Sequence, residues 1–466
     1  MTRIDARAAL AQLFGAGGLS RETADVDLTG DDSTIASPHR LATGMGVAIA
    51  AQAAAIAQIW RMRSGRRQRV SVDLHAAAHA LNPAAYLKQN GYPITIRFGF
   101  TEPGNGYWRS RDGRWIYMAH GSPRLRNGLL DVLQCANSRP AIEKAVARHE
   151  AQELEGVCQE KGLPLVMVRT AEEWRAHPHG KLLVARPVIE IERIGDGAPL
   201  PFKPAARPLA GIRVLENTHI LAGPGIGRCL AEQGADALRI APPRGSDPIN
   251  FMIDTGFGKR SSFLDLDNPA DVARYKDLAA DCDVLVQSLR PGALLRRGLG
   301  SAQLAAAGKG LVYVSVSCYG EGPWSRYVGY DPLAQSATGV SAREGGLDMP
   351  RVVPCTLLAD YLTSYLGTFG ALAGLIRRAN EGGSYHVRIS LAQTCMWVQD
   401  LGPVERGATT TGGAAPRLLR MDSPFGELEY LAPVAQYGET PAWWDKPPVP
   451  LGASRAEWLT RADSPA

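Results

Sequence analysis

Apolar positions along this chain follow two rhythms. An alanine-rich stretch over 43–63 is weakly polar on every face and ends at Gly65, which predicts a buried helix. Residues 69–74 (RVSVDL) then alternate as a strand. The same order returns later, with an apolar helix over 359–380, the pair Gly382-Gly383 and a strand over 386–391. Aligning Gly65 with Gly382 gives an offset of 382 − 65 = 317, which places Val70 on Val387 and Thr43 on Asp360. The pattern is a partial internal repeat, and only the later copy carries a carboxylate at that position.

Between the copies, GYWRSRDGRWIYMAHG over 106–121 reads as an aromatic hairpin turning at Asp112-Gly113. Helical segments follow over 123–135 and 140–162, and then a strand over 188–193. The Pro-rich stretch 199–211 marks the main boundary. Beyond it, strands are expected over 211–216, 237–241, 262–266, 284–288 and 311–317, with helices over 225–234 and 269–281. This alternation predicts an α/β protein with a doubly wound, Rossmann-like, mostly parallel sheet and a second, smaller α+β domain. The units expected are a loosely attached segment (1–38), a helix and strand resembling the later copy (39–80), the small α+β domain (81–205), the Rossmann-like domain (206–400) and a C-terminal tail (401–466).

A chain of 466 residues exceeds what one hydrophobic core usually serves, and 45% hydrophobic with 21% charged residues is ordinary for a soluble globular protein. The formal charge of +5, without a dense Lys/Arg run among aromatics, argues against a nucleic-acid partner and suits a substrate carrying phosphates. Seven scattered cysteines lack any C-x-x-C spacing, so reduced thiols and a cytoplasmic location are expected. No signal-peptide pattern opens the chain, and the run over 44–60 is too short and too weakly apolar for a membrane span. No metal is expected: His177 and His179 flank a proline without nearby ligands, and His75 and His79 share a helix face without a carboxylate.

Candidate chemistry gathers in three places. The first is the glycine turn from His219 to Gly227, which includes Ala222, Gly223 and Pro224 and lies between a strand and a helix, where backbone N–H groups receive anions. A nicotinamide enzyme is the rival reading of that turn. It needs an acid at the end of the next strand, and Arg239-Ile240-Ala241-Pro242 has none. The second is the set of basic residues near strand ends, Arg239, Lys259, Arg260 and Arg290, which either bind phosphates or are solvated surface charges. The third is Asp360, at the mouth of an apolar helix. It either caps that helix, a role worth about 1 kcal/mol, or acts as a nucleophile. Asp331 is read as the N-cap of a helix over 332–338, with no catalytic role, and Trp443-Trp444 as packing for the tail.

Several phrases taken together resemble the family III CoA-transferases (the CaiB/BaiF, carnitine and formyl-CoA transferase group). They are A-G-P at Ala222–Gly223–Pro224, K-R-S at 259–261, R-P-G at 290–292, Tyr319-Gly320-x-Gly322-Pro323 and LADYLTSYLG at 358–367. The likeness covers most of 40–460, most specifically 208–392, with the segments re-ordered so that a small-domain half comes first and the CoA-binding half second. It implies CoA transfer between an acyl-CoA and a carboxylic acid, with Asp360 as nucleophile and coenzyme A as substrate. It also implies CoA contacts from Ala222, Gly223, Pro224, Arg239, Lys259, Arg260, Arg290, Tyr319 and Gly320, and a homodimer. Backbone donors for an oxyanion are expected at Gly345-Gly346 or over 411–414. Departures matter too. Ala241 stands where the family often has Glu, and Leu221 where formyl-CoA transferases carry Gln. The related racemases have His at the place of Tyr330, and tyrosine, with a pKa of about 10, suits transfer better than proton exchange. An acyl-CoA racemase or isomerase, or a non-catalytic acyl-CoA-binding relative, are the alternatives.

Overall fold

The computed structural model describes residues 4–20, 25–94, 102–244, 247–306, 310–404 and 415–460. At its centre lies a seven-stranded sheet. Its order is Lys259–Phe263, Asp236–Ala241, Arg213–Asn217, Val284–Gln287, Val312–Ser317, Ser384–Ser390 and Ile189–Gly195. The first six strands run parallel and Ile189–Gly195 closes one edge antiparallel. Helices cover both faces, so inner strands such as Asp236–Ala241 are buried along their whole length. After the antiparallel edge strand Ile189–Gly195, the parallel series starts at Arg213–Asn217, winds out to Lys259–Phe263, and returns to lay Val284–Gln287 on the other side of Arg213–Asn217. That reversal opens a crevice beyond the C-terminal ends of the two strands, the usual ligand position in such sheets.

The smaller unit is α+β. An antiparallel sheet of Gly106–Arg109, Trp115–Met118 and Leu165–Met167 packs on the helices Pro123–Leu133, Arg139–Val146 and Ala151–Glu160. Its own core gathers Trp108, Ile116, Leu129, Ile142 and Leu154.

The repeat is a structural one. Helices Leu41–Ser64 and Leu358–Glu381 are each 24 residues long, and their ends obey 358 − 41 = 317 and 381 − 64 = 317. The strands Arg69–Asp73 and Ser384–Ser390 end, and the helices Leu74–His79 and Leu391–Asp400 begin, at the same offset. The two long helices pack against each other in the main core. Leu41–Ser64 is long and apolar enough to cross a membrane, longer than the run visible over 44–60, and here it is buried in the fold.

Three local differences from the expected pattern change the site. The helix after the glycine turn begins at Ala222, so Ala222, Gly223 and Pro224 form its first turn. Proline is tolerated there because first-turn N–H groups have no partner inside the helix. The strand expected over 262–266 begins at Lys259, which draws Lys259 and Arg260 into the sheet. Finally, the segment expected to be loosely attached holds a helix, Ala6–Gly17, that buries Leu10, Leu13 and Phe14. It also holds a strand, Asp25–Thr29, paired with Arg69–Asp73.

Candidate active site

Two helix starts converge on the crevice. The loop leading into Ala222–Ala231 holds Ile220 at φ 64°, and the loop leading into Leu358–Glu381 holds Thr356 at φ 69°. Both are β-branched residues in the left-handed region, a strain of about 1–3 kcal/mol each that the surroundings must over-determine. The helices themselves meet through small residues. A Cβ on Gly225 would lie 2.6 Å from Ser364 Cβ and closer still to its Oγ, and a Cβ on Gly367 would lie 2.6 Å from Ile226 Cδ1. Ser364 Oγ lies 3.0 Å from the carbonyls of both Ala222 and Asp360, to which it can donate. This close crossing sets Asp360 against the first turn of Ala222–Ala231.

Asp360 is 6% exposed and is the third residue of its helix, whose N-cap is Leu357. It therefore does not cap its own helix. Its carboxylate accepts the backbone N–H of Ala222, at the positive end of the neighbouring helix. The capping work at Leu358–Glu381 falls to Asp331, whose Oδ2 accepts the Asp360 N–H at 2.8 Å and which also takes the Ala359 N–H. Asp331 is the first residue of Asp331–Thr338, whose N-cap is Tyr330, so it serves the adjacent helix and not, as expected, its own. Gln335 donates to Asp331 and to the Thr356 carbonyl, and accepts from the Val353 N–H, which pins the strained loop.

Burial is the largest influence on both carboxyls. It raises Asp331, against the donors just named, and it raises Asp360 well above the carboxylate range, helped by the charge of Asp331 and opposed by the Ala222 N–H. Two buried carboxyls joined through one backbone amide do not both ionise readily. When Asp360 is ionised, it is a desolvated and therefore strongly basic nucleophile, held by one hydrogen bond at a helix N-terminus.

Asp360 faces two cavities. One, of about 480 Å³, is lined by Ile220, Ala222, Gly223, Ser288, Arg290 and Cys318. It adjoins a cavity of about 810 Å³ that shares Arg290 and adds Gly320, Arg296 and Arg326. The second cavity at Asp360 is small, about 100 Å³, and is lined by Tyr117, His120, Pro248, Phe251 and Leu357. Tyr330 borders both cavities at Asp360, and burial pushes its hydroxyl above the ordinary tyrosine value.

Of the residues singled out in the sequence, Asp360, Ala222, Gly223, Arg290 and Gly320 lie on these walls. Others stand behind them. Lys259 is 2% exposed, its Nζ 2.5 Å from Glu216 Oε2 and donating to the Pro224 carbonyl. Gly227 leaves room for this pair, because a Cβ there would collide with Glu216 Oε2. Lys259 thus braces the glycine turn from beneath. Arg239 is buried in an ion pair with Asp247. Tyr319 packs among Trp174 and Trp324, and its carbonyl accepts from His179 Nε2 at 2.6 Å. Arg260 pairs with Asp236 at 3.0 Å, next to the first residues of their strands and away from the crevice. Gly345 and Gly346 end a short helix and line neither cavity at Asp360. The 411–414 segment lies outside the described residues. Among the described residues, no group of three or more His, Cys, Asp or Glu side chains is placed to hold a metal ion.

Asp331 was read as a local cap, because the helix after it is close at hand and its partner lies 29 residues away. Ser364, Arg296, Arg326 and His120 escaped the sequence reading. They become neighbours of Asp360 or of the crevice only through tertiary contact.

Comparison with known proteins bears on this geometry. Residues 209–425 match the family model of CoA-transferase family III. An acetyl-coenzyme A transferase of Hypoxylon pulicicidum is 30% identical over 70% of this chain and 59% of its own length. An acyl-CoA transferase of Gibberella moniliformis is 31% identical over 66% of this chain and 64% of its own length. A succinyl-CoA–L-malate CoA-transferase beta subunit of Chloroflexus aurantiacus is 32% identical over 41% of this chain and 51% of its own length. The chain therefore spans about three-fifths of the first two relatives.

Proposed function

We propose that this chain, whose residues 209–425 match the model of CoA-transferase family III, moves CoA between an acyl-CoA thioester and a carboxylic acid, with Asp360 as the nucleophile. The observation that carries the reading is the placement of the Asp360 carboxylate. It is buried, held by the Ala222 N–H, and set between a crevice of CoA-like dimensions and a small, largely apolar cavity. In the reading, the CoA arm lies in the crevice, with Arg290, Arg296 and Arg326 toward its phosphates.

An Asp360 oxygen attacks the thioester carbonyl, the C–S bond breaks, and the CoA thiolate leaves, giving an acyl–aspartyl mixed anhydride. The thiolate attacks the aspartyl carbonyl and expels the acyl group as its free carboxylate, leaving an aspartyl-CoA thioester. The incoming carboxylate attacks that thioester, and the released thiolate then takes the new acyl group and restores the Asp360 carboxylate. No net proton is consumed. Each tetrahedral oxyanion needs a donor, and the first turn of Ala222–Ala231 offers the Gly223 N–H beside the Ala222 N–H that holds Asp360. Proton exchange beside the thioester is disfavoured, because Tyr330 stands where a racemase has histidine and its hydroxyl is held protonated by burial.

The test is transfer between short acyl-CoA donors and free acids, in the wild type and in Asp360→Asn. The variant is expected to bind CoA, read as a thermal shift, while transfer falls by at least 10⁴-fold. Unchanged transfer in the variant sinks the assignment.

A further inference from the structure

The crevice and the small cavity meet at Asp360. Four residues line both of them: Gly121, Ile220, Tyr330 and Asp360. Three are held by the main sheet and its helices. Ile220 sits in the strained turn, Asp360 at the helix crossing, and Tyr330 at the N-cap of Asp331–Thr338. Gly121 alone comes from the smaller unit. It lies between the strand Trp115–Met118 and Ser122, whose side chain caps Pro123–Leu133 by accepting the Leu125 N–H, so an element on each side sets its position.

Glycine is not required there by the backbone, because Gly121 is not among the glycines held at positive φ. It is exposed. A Cβ on it would lie 3.1 Å from Tyr330 Oη and 3.4 Å from Tyr330 Cζ, and its three nearest neighbours would all be atoms of that ring. A side chain at this position therefore closes on Tyr330. Since both residues border both cavities, it would narrow the way from one cavity to the other.

Attack by Asp360 needs the thioester carbonyl within about 3–3.5 Å of its carboxylate. That carbonyl carbon is planar, so its sulfur and its acyl carbon point in different directions. With the sulfur reaching back along the crevice toward Arg290, Arg296 and Arg326, the acyl carbon is directed to the other space at Asp360. Its walls, Tyr117, Pro248, Phe251 and Leu357 among them, are mostly apolar and suit a hydrocarbon chain.

We propose that the acyl group passes between Gly121 and Tyr330 into the small cavity, and that Gly121 is a specificity-determining residue whose missing side chain admits acyl groups longer than acetyl. The inference rests on the transfer reading above and gives Gly121 no part in bond making.

The test pairs each acyl-CoA with its own isotope-labelled free acid, so that label enters the thioester pool only by transfer and no second acid need be guessed. Acetyl-CoA is compared with butyryl-CoA, and the readout is the ratio of their kcat/KM values, which cancels any loss of folded protein. The wild type is expected to exchange both. Gly121→Val sets a branched side chain against the Tyr330 ring, and each methylene shut out of an apolar pocket is worth about tenfold or more. The butyryl-to-acetyl ratio is therefore expected to fall at least tenfold, with a smaller fall in Gly121→Ala. In Gly121→Val/Tyr330→Phe, which removes the hydroxyl that the new Cβ meets, part of the ratio should return. A wild type that exchanges acetyl but not butyryl, a ratio unmoved in Gly121→Val, an equal loss with both donors, or no return in the double variant overturns the inference while leaving transfer intact. Absence of exchange with both donors in the wild type overturns the transfer reading and this inference with it.

Discussion

Alanine at Gly225 should damage chemistry more than folding. The added Cβ would stand 2.6 Å from Ser364 Cβ, whereas carbon atoms at rest sit about 3.5–4.0 Å apart. The helices Ala222–Ala231 and Leu358–Glu381 must therefore part by about 1 Å at this crossing. Overpacking of this kind costs about 1–3 kcal/mol, and the better helix propensity of alanine returns about 1 kcal/mol. The net loss of stability is then at most about 2 kcal/mol. The same displacement carries Asp360 away from the Ala222 N–H, and misplacement of a reacting group by about 1 Å can cost about 100-fold in rate. Ser364→Gly removes the colliding atoms, so Gly225→Ala/Ser364→Gly should recover at least tenfold of the lost kcat. Urea unfolding and transfer kinetics on the four proteins of the cycle give both quantities. If Gly225→Ala keeps kcat within about threefold of wild type, or if Ser364→Gly rescues nothing, the crossing does not position Asp360.

Asp360→Asn should stabilise the protein at neutral pH. The folded state holds the Asp360 carboxyl above its ordinary value of 3.8. The stability that proton confers is complete below about pH 4 and is lost as pH rises toward the folded value. The variant, with nothing to lose, should gain on wild type in urea titrations as pH rises above 4, and a constant difference would contradict the burial account. Lys259→Met removes the closest cation from buried Glu216, leaving it Arg239 at 3.7 Å and the Thr218 hydroxyl, and should cost about 3 kcal/mol, whereas Lys259→Met/Glu216→Leu should recover part of it. A variant that lost CoA affinity but kept its stability would return Lys259 to the ligand. Asp32→Ala takes the carboxylate from buried Arg40 and the acceptor from the Thr43 N–H and hydroxyl at the start of the first copy of the repeat, and should cost about 3 kcal/mol while the folded fraction keeps its transfer rate. A selective loss of transfer there would give the first copy a role in catalysis.

The repeat and the singular position of Asp360 were legible for the same reason. A glycine that ends a helix before an alternating strand is a local signal, and Gly65 and Gly382 carry it at one offset. A lone carboxylate in an apolar run is conspicuous without any knowledge of its neighbours. Lys259 misled because a charged residue before an apolar strand is ordinarily exposed, and the Glu216 that makes its burial tolerable lies 43 residues earlier. Arg260 misled through the same three-residue shift in the strand's start. Asp331 looked like a local cap because local caps are common, while its true duty crosses to a helix 29 residues on. The buried face of Ala6–Gly17 was there to be read, since Leu10, Leu13 and Phe14 keep helical spacing. The polar residues around it carried more weight than they should have.

The central claim is that Asp360 becomes covalently attached to CoA. Mixing the protein with an acyl-CoA donor, trapping with hydroxylamine and mapping the peptides by mass spectrometry tests it directly. The account predicts a CoA thioester, converted to a hydroxamate, on Asp360, and no such product in Asp360→Asn. A modification at Asp331 or Cys318 instead, or transfer that proceeds with Asp360 never modified, would contradict it.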